Sequence, residues 1–189
     1  MVPIMPSVIE REVKLKLKNA SVDSLKENFL KDGIKFEGEE RQVDVYFNSS
    51  YRDFRRTDEA LRIREINGNV ELTYKGPKIS TRSKSREEIT VKISDRDSMT
   101  KILERLGFRP VATLSKVRYS FSVGKYTICL DKVEGLGDFV EIEGIDVDED
   151  ELLNFVKEFT TKYDIVAEQE RRSYLELLVE KLEANSNSH

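Results

Sequence analysis

Between residues 9 and 18 the apolar side chains Ile9, Val13, Leu15 and Leu17 fall on one side, and Glu10, Glu12, Lys14, Lys16 and Lys18 on the other. That period of two is the mark of a half-buried β-strand. Similar alternation recurs at Arg41 to Phe47, Ala60 to Glu65, Val70 to Lys75, Glu87 to Ile93, Lys116 to Val123, Tyr126 to Asp131 and Phe139 to Glu143. Asn67-Gly68 and Gly124-Lys125 supply hairpin turns, and Gly135-Leu136-Gly137 a glycine-rich connection. Helical spacing appears in Val22, Leu25, Phe29 and Leu30, with Ser21 as N-cap and Gly33 as stop. It appears again in Met99, Ile102, Leu103 and Leu106, where Ser94 is the expected cap of a helix from Asp95 to Leu106. Asp148 is placed to cap a helix from Glu149 to about Lys162, and Arg172 to Glu183 reads as a last amphipathic helix. Tyr51 to Thr57 reads as an exposed basic connection and Lys78 to Arg86 as a polar, serine-rich loop.

The order strand, helix, three strands occurs twice. REVKLKL (Arg11 to Leu17) corresponds to EEITVKI (Glu87 to Ile93), and ELTYKG (Glu71 to Gly76) to FVEIEG (Phe139 to Gly144). Two such halves hold eight strands, and closing them edge to edge removes the exposed edges. The expected fold is α+β: a closed, mostly antiparallel eight-stranded barrel built from two β-α-β-β-β halves, with helices packed outside. A single domain over residues 1–183 and a disordered tail at 184–189 complete this expectation.

Composition narrows the function. The chain has 189 residues, 38% of them hydrophobic, enough for a core; its 32 basic and 36 acidic residues leave a net charge of −4. That balance gives no electrostatic reason to expect nucleic acid as a partner. No stretch approaches the ~20 apolar residues of a membrane span, and Met1 to Ser7 lacks the regions of a signal peptide. A cytoplasmic location is expected. Cys129 is the only cysteine and His189 the only histidine, at the last position, which excludes an internal disulfide, Cys-His or Ser-His-Asp catalysis and histidine-ligated zinc. No Gly-x-x-x-x-Gly-Lys-Ser/Thr loop occurs.

The charges on the alternating strands divide by half. Arg62, Arg64 and Lys75 come from the first half, joined by Lys116 and Arg118, whereas Asp131, Glu141 and Glu143 stand in the second. If these faces turn into the barrel with Glu10, Glu12 and Lys14, one wall is cationic and the other anionic. The competing arrangement puts them outside as solvated faces. Two carboxylates at about 4 Å repel by roughly 4 kcal/mol at an effective dielectric near 20, so a convergent acidic group calls for a cation. All-oxygen donors favour Mg²⁺ or Mn²⁺, and an Arg/Lys wall suits a polyphosphate.

These residues resemble the CYTH superfamily of triphosphate tunnel enzymes, which includes class IV adenylate cyclases, thiamine triphosphatases and inorganic triphosphatases. The resemblance rests on Glu-x-Glu-x-Lys at Glu10, Glu12 and Lys14, LRIR (61–64), YKGP (74–77) and Lys116-Val117-Arg118. FSVGKYTICLD (121–131), GLGDFVEIE (135–143) and EQERRSYLELL (168–178) extend it over nearly the whole chain. GLGDF with its acidic strand, and the Arg-Ser-Tyr before the last helix, are most similar to class IV adenylate cyclases. The resemblance implies conversion of ATP to cyclic AMP and pyrophosphate. Glu10, Glu12, Asp131, Glu141 and Glu143 would hold metal, and Lys14, Arg62, Arg64, Lys75, Lys116 and Arg118 the triphosphate. Glu10, Glu12, Lys14, Asp131 and Glu141 would form the catalytic set. YRDFRRTDEALRIR (51–64) and the pair Glu87 and Glu88 depart from bacterial cyclases toward hydrolase-like members. A triphosphatase acting on thiamine, inorganic or nucleoside triphosphate is therefore the alternative, and a non-catalytic nucleotide or polyphosphate binder the second. The apolar stripe of the last helix reads as core, with a homodimer contact as the other option.

Overall fold

In a computed structural model, residues 10–78 and 86–186 are described. The alternating segments become β1 (Glu10–Leu17), β2 (Lys35–Ser49), β3 (Ala60–Ile66), β4 (Asn69–Lys75), β5 (Glu88–Ile93), β6 (Phe108–Val123), β7 (Tyr126–Val133) and β8 (Gly137–Ile145). A short β9 (Ala167–Gln169) was not expected. The helices are α1 (Val22–Lys31), α2 (Phe54–Thr57), α3 (Arg96–Arg105), α4 (Glu149–Lys162) and α5 (Tyr174–Ser186). None of the helices among the described residues is long and apolar enough to cross a membrane.

Local chemistry accounts for the helix starts. Ser21 and Ser24 form a reciprocal capping box on α1, each hydroxyl accepting from the other's backbone N–H at 3.1 Å. Asp148 accepts from Glu151 N–H at 2.7 Å and caps α4 as expected. On α3 the cap is Asp95, not Ser94: its carboxylate accepts from Ser98 N–H at 2.8 Å and also places negative charge at the helix N-terminus. α5 begins at Tyr174 rather than Arg172 and runs to Ser186, past the expected limit at 183. Residues 187–189 of the expected tail, and 79–85 of the expected loop, lie outside the described residues.

The strands form one antiparallel sheet in the order β5-β4-β3-β2-β6-β7-β8-β1-β9. The two halves meet where β2 pairs with β6, and each lends its first strand to the other, β1 to β8 and β5 to β4. Closure is not seen: among the described residues no pairing joins β5 to β1 or β9. β9 instead takes the second edge of β1 at Leu15 to Leu17, an edge that a closing strand would need.

β2 and β6 are far longer than their alternation suggested. Residues 35–36 and 41–47 belong to one continuous strand, and β6 starts eight residues before Lys116. Pro110 lacks a ladder N–H, and the sheet takes it at a register shift, where Tyr46 faces Ala112 and Phe47 faces Pro110. At the entry to β6, Gly107 has φ +90°, and an added Cβ would stand 2.8 Å from both Ser50 Oγ and the Tyr51 ring.

Helices cover the outer face of the sheet. α1 and α4 pack Leu25, Phe29, Leu152 and Phe159 against Val13, Leu15, Ile128, Val140 and Ile142. Leu103 of α3 and Phe54 of α2 pack on Phe47, Leu61 and Ile63. Phe54 is thus buried, so the 51–57 segment is anchored to the core and is more than an exposed connection. α5 instead lies on the cavity side, where Tyr174 packs with Tyr46, Leu114, Val133 and Phe139.

Candidate functional site

Because β1, β3, β6 and β8 give their apolar residues to the outer core, the alternate positions turn the other way, into a cavity of about 1070 Å³. Glu12, Lys14, Arg62, Arg64, Lys75, Lys116, Arg118, Glu141 and Glu143 all line it, so the charged faces point inward. Glu10 opens β1 opposite Ile145.

Carboxylates converge across the β1/β8 pair. Glu12 stands directly opposite Glu143, and Lys14 opposite Glu141. Glu12, Glu141 and Glu143 each bring an oxygen within 4.8 Å of the others. Like charges placed opposite each other on a sheet are destabilising, which makes this a place where a cation is useful. Lys14 Nζ lies 3.4 Å from Glu141, and Arg118 contacts Glu141 and approaches Glu143 at 3.8 Å.

Asp131 is not one of those three but shares Arg118 Nη2 with Glu141. It is fully buried, taking Arg118 Nε and Nη2 at 2.7 and 2.6 Å, Lys116 Nζ at 3.1 Å and the Tyr174 hydroxyl at 2.8 Å. Burial alone would raise its carboxyl pKa, but Lys116 and Arg118 hold it below the usual range. Burial likewise opposes the charge on Arg118, yet Asp131 and Glu141 keep its pKa well above the ordinary value. Burial and the neighbouring Arg118 push the Lys116 ammonium down.

A corresponding pair occupies the first half. Asp44, 1% exposed, faces Arg64 across β2 and β3 and accepts from its Nε and Nη2 at 2.6 and 2.7 Å. Arg62 Nη1 is 3.8 Å from the same carboxylate, and its buried Nε has no hydrogen-bond partner among the described residues. Lys75 Nζ is bonded to Glu88 at 2.6 Å; burial and Arg62 push its ammonium below the usual lysine range. The two signs are therefore interleaved as pairs within each half, not segregated by half as the sequence suggested.

Asp44, Glu88 and Tyr174 are site residues that pattern reading passed over. Asp44 shares the parity of Gln42 and Tyr46 in RQVDVYF, and that was its one visible signal. Tyr174 is the first residue of α5, with its ring 3.7 Å from Lys14 Nζ.

A duplicated antiparallel sheet carrying both signs of charge on one cavity defines a class that comparison with known proteins makes specific. The CYTH domain matches residues 8–174, and the chain belongs to that family. The Methanocaldococcus jannaschii protein named "Putative adenylate cyclase MJ0240" is 44% identical over 179 residues, covering 90% of this chain and 98% of that one. The adenylate cyclase CyaB of Aeromonas hydrophila is 30% identical over 152 residues, 77% of this chain and 76% of that protein. Among solved structures, the PH1819 protein of Pyrococcus horikoshii superposes with a TM-score of 0.75 at 42% identity, over 91% of this chain and 99% of that one. A Hippeastrum protein described as revealing a dominant triphosphatase activity shares the fold, with a TM-score of 0.73 at 21% identity over 91% of this chain and 96% of that one.

Proposed function

We propose that this chain is a metal-dependent adenylate cyclase of the CYTH family, converting ATP to cyclic AMP and pyrophosphate in the cavity. The observation that carries this is the convergence of Glu12, Glu141 and Glu143 within 4.8 Å, beside arginines and lysines lining the same 1070 Å³ cavity. Anion binding alone would need only the cations. The 44% identity to the Methanocaldococcus jannaschii protein supports the same reading.

Glu12, Glu141 and Glu143 are suited to Mg²⁺ or Mn²⁺, because their donors are all carboxylate oxygens, and Glu10, two residues before Glu12, is assigned to the same ion. When bound there, such an ion would supply positive charge against the phosphates and lower the pKa of an attacking hydroxyl. Arg62, whose Nε has no hydrogen-bond partner among the described residues, and Arg64, Lys75, Lys116 and Arg118 bind phosphate oxygens. Lys14, beside Glu141, joins the two sets. Together they hold the α-phosphorus in reach of the ribose 3′-oxygen and stabilise pyrophosphate as its bond to that phosphorus breaks. Asp131 serves this face as the anchor of Lys116 and Arg118. The enzyme would act on free nucleotide in the cytoplasm.

Hydrolysis is the second reading, favoured by the Hippeastrum protein with this fold and its described triphosphatase activity. The same residues would grip the triphosphate, with water attacking the terminal phosphorus. Incubation with ATP, thiamine triphosphate and inorganic tripolyphosphate under Mg²⁺ and under Mn²⁺, followed by chromatography, separates the readings. Cyclic AMP with pyrophosphate is the expected result and orthophosphate selects hydrolysis. No product with either metal would overturn both.

A further inference from the structure

Three of the cavity's cations lean on a single aromatic side chain that brings no charge of its own. Tyr174 is 6% exposed and sits at the first turn of α5, wedged edge-on against Phe139 at 5.1 Å between ring centres and 71° between planes. Its ring lies 3.7 Å beneath Lys14 Nζ and 5.0 Å from Lys116 Nζ, both within the range of cation–π attraction. Its hydroxyl donates to Asp131 Oδ2 at 2.8 Å, the oxygen that also accepts from Arg118 Nη2 and Lys116 Nζ. Lys14 Nζ additionally donates to the carbonyl of Arg172, two residues before Tyr174, at 3.2 Å.

We propose that Tyr174 is a positioning residue, whose ring sets the Lys14 ammonium and whose hydroxyl, through Asp131, aims Lys116 and Arg118 at the phosphate chain. The proposal rests on the reading of this cavity as a triphosphate site. The two contacts do different work. A flexible lysine reaches a polyphosphate from many rotamers, and the ring face restricts Lys14 to one region of the cavity. A buried aspartate with two cationic donors can still pivot about its side-chain bond. A third donor from α5 fixes its plane, and with it the plane of the bidentate Arg118 guanidinium. The seating of α5 is thereby transmitted to cations on β1 and β6. Neither contact adds charge to the site, so both act through geometry.

Substitutions at this one position separate ring from hydroxyl. Tyr174→Phe keeps the ring, the Phe139 contact and the Lys14 platform and removes only the hydrogen bond to Asp131. Tyr174→Leu removes the ring as well. The measurements are the Kd for inorganic tripolyphosphate by calorimetry without divalent metal, then kcat and KM with metal on the substrate identified as above, with circular dichroism to establish that each variant is folded. The expected result is about a tenfold loss of kcat for Tyr174→Phe with Kd within about threefold of wild type, because Lys14 keeps its platform while Arg118 loses its aim. Tyr174→Leu is expected to weaken tripolyphosphate binding by about tenfold in addition. A tyrosine that merely supported the fold would lower the urea midpoint and leave Kd and kcat unmoved. Wild-type values of Kd and kcat in folded Tyr174→Phe, whether or not Tyr174→Leu folds, would overturn the positioning role and leave the site reading standing. Failure of the wild-type protein itself to bind tripolyphosphate would overturn both.

Discussion

Two strand pairs occupy equivalent places in the duplicated halves, and the residue pairs that face each other across them differ. Where β5 meets β4, Glu88 lies opposite Lys75 and bonds to it at 2.6 Å, and Thr90 lies opposite Thr73, their hydroxyls 3.0 Å apart. Where β1 meets β8, Glu12 lies opposite Glu143, and Lys14 opposite Glu141. The backbone arrangement is the same, but the first pair is matched by its own side chains and the second sets carboxylate against carboxylate. Duplication therefore supplies an internal comparison for the carboxylate group alone: β5/β4 shows the same geometry with a lysine, Lys75, opposite its glutamate. The departure at β1/β8 coincides with the proposed metal site.

The largest effect should come from undoing that departure. Glu12→Gln and Glu143→Gln keep the shape of the β1/β8 pair and remove one negative charge each. Catalytic efficiency should fall by about 10³-fold in either, with urea midpoints unchanged or slightly raised by relief of the like-charge contact. Near-normal rates at saturating metal would show that this carboxylate group is not the metal site.

Next in size are the buried arginine–aspartate pairs, which the halves build with opposite strand polarity. In the first half the aspartate is on β2 and the arginine on β3; in the second the arginine is on β6 and the aspartate on β7. Removing one member leaves a buried charge without its main partner, at a cost of about 3–5 kcal/mol. Arg64→Met and Arg118→Met should therefore lose similar stability in urea titrations, although only Arg118 also touches Glu141 and Glu143. Activity should separate them, with Arg118→Met the more damaged. Equal activity would mean that contact with the carboxylates does not matter.

Lys75 tests the quieter pair. Lys75→Met should lower catalytic efficiency by about a hundredfold, while the loss of its partly exposed bridge to Glu88 costs about 1 kcal/mol or less. An unaltered efficiency with a lowered midpoint would return Lys75 to a purely structural role.

Acidification provides a smaller and more gradual effect. Burial would raise the Asp44 carboxyl, but Arg64 and Arg62 hold its pKa below the ordinary aspartate value. Its contribution to stability is full above the unfolded value and is lost as pH falls through the lower, folded one. Wild-type urea midpoints should decline below about pH 4, and Asp44→Asn, less stable at neutral pH, should decline less over that window. Parallel declines would assign the acid sensitivity to other groups.

Much of this contrast was legible in the chain. REVKLKL against EEITVKI and ELTYKG against FVEIEG already align Glu12 with Glu88, Lys14 with Thr90, Glu141 with Thr73 and Glu143 with Lys75. Period-two patterning also assigned these residues to one face, because the facing apolar positions had to enter a core. Pairing was not legible. That Asp131 lies opposite Arg118, or Asp44 opposite Arg64, depends on cross-strand register, which turns and bulges set between residues 13 and 20 positions apart in the chain. For that reason the ion pairs of Asp131 and Asp44 could not be read from the chain. β9 has only three residues, too few to show a period, and it is β9 that occupies an edge the expected barrel would have closed. Pro110 concealed the first half of β6, since only a register shift makes room for it.

The central claim is that the β1/β8 carboxylates, and not their counterparts on β5/β4, bind a divalent cation. Equilibrium binding of Mn²⁺, followed by the loss of free-ion electron paramagnetic resonance signal in the absence of any phosphate, tests it on wild type, Glu12→Gln and Glu88→Gln. The account predicts saturable binding by wild type, at least a tenfold weaker affinity in Glu12→Gln, and an affinity within about threefold of wild type in Glu88→Gln. Equal affinities in Glu12→Gln and wild type, or equal losses in the two variants, would contradict it.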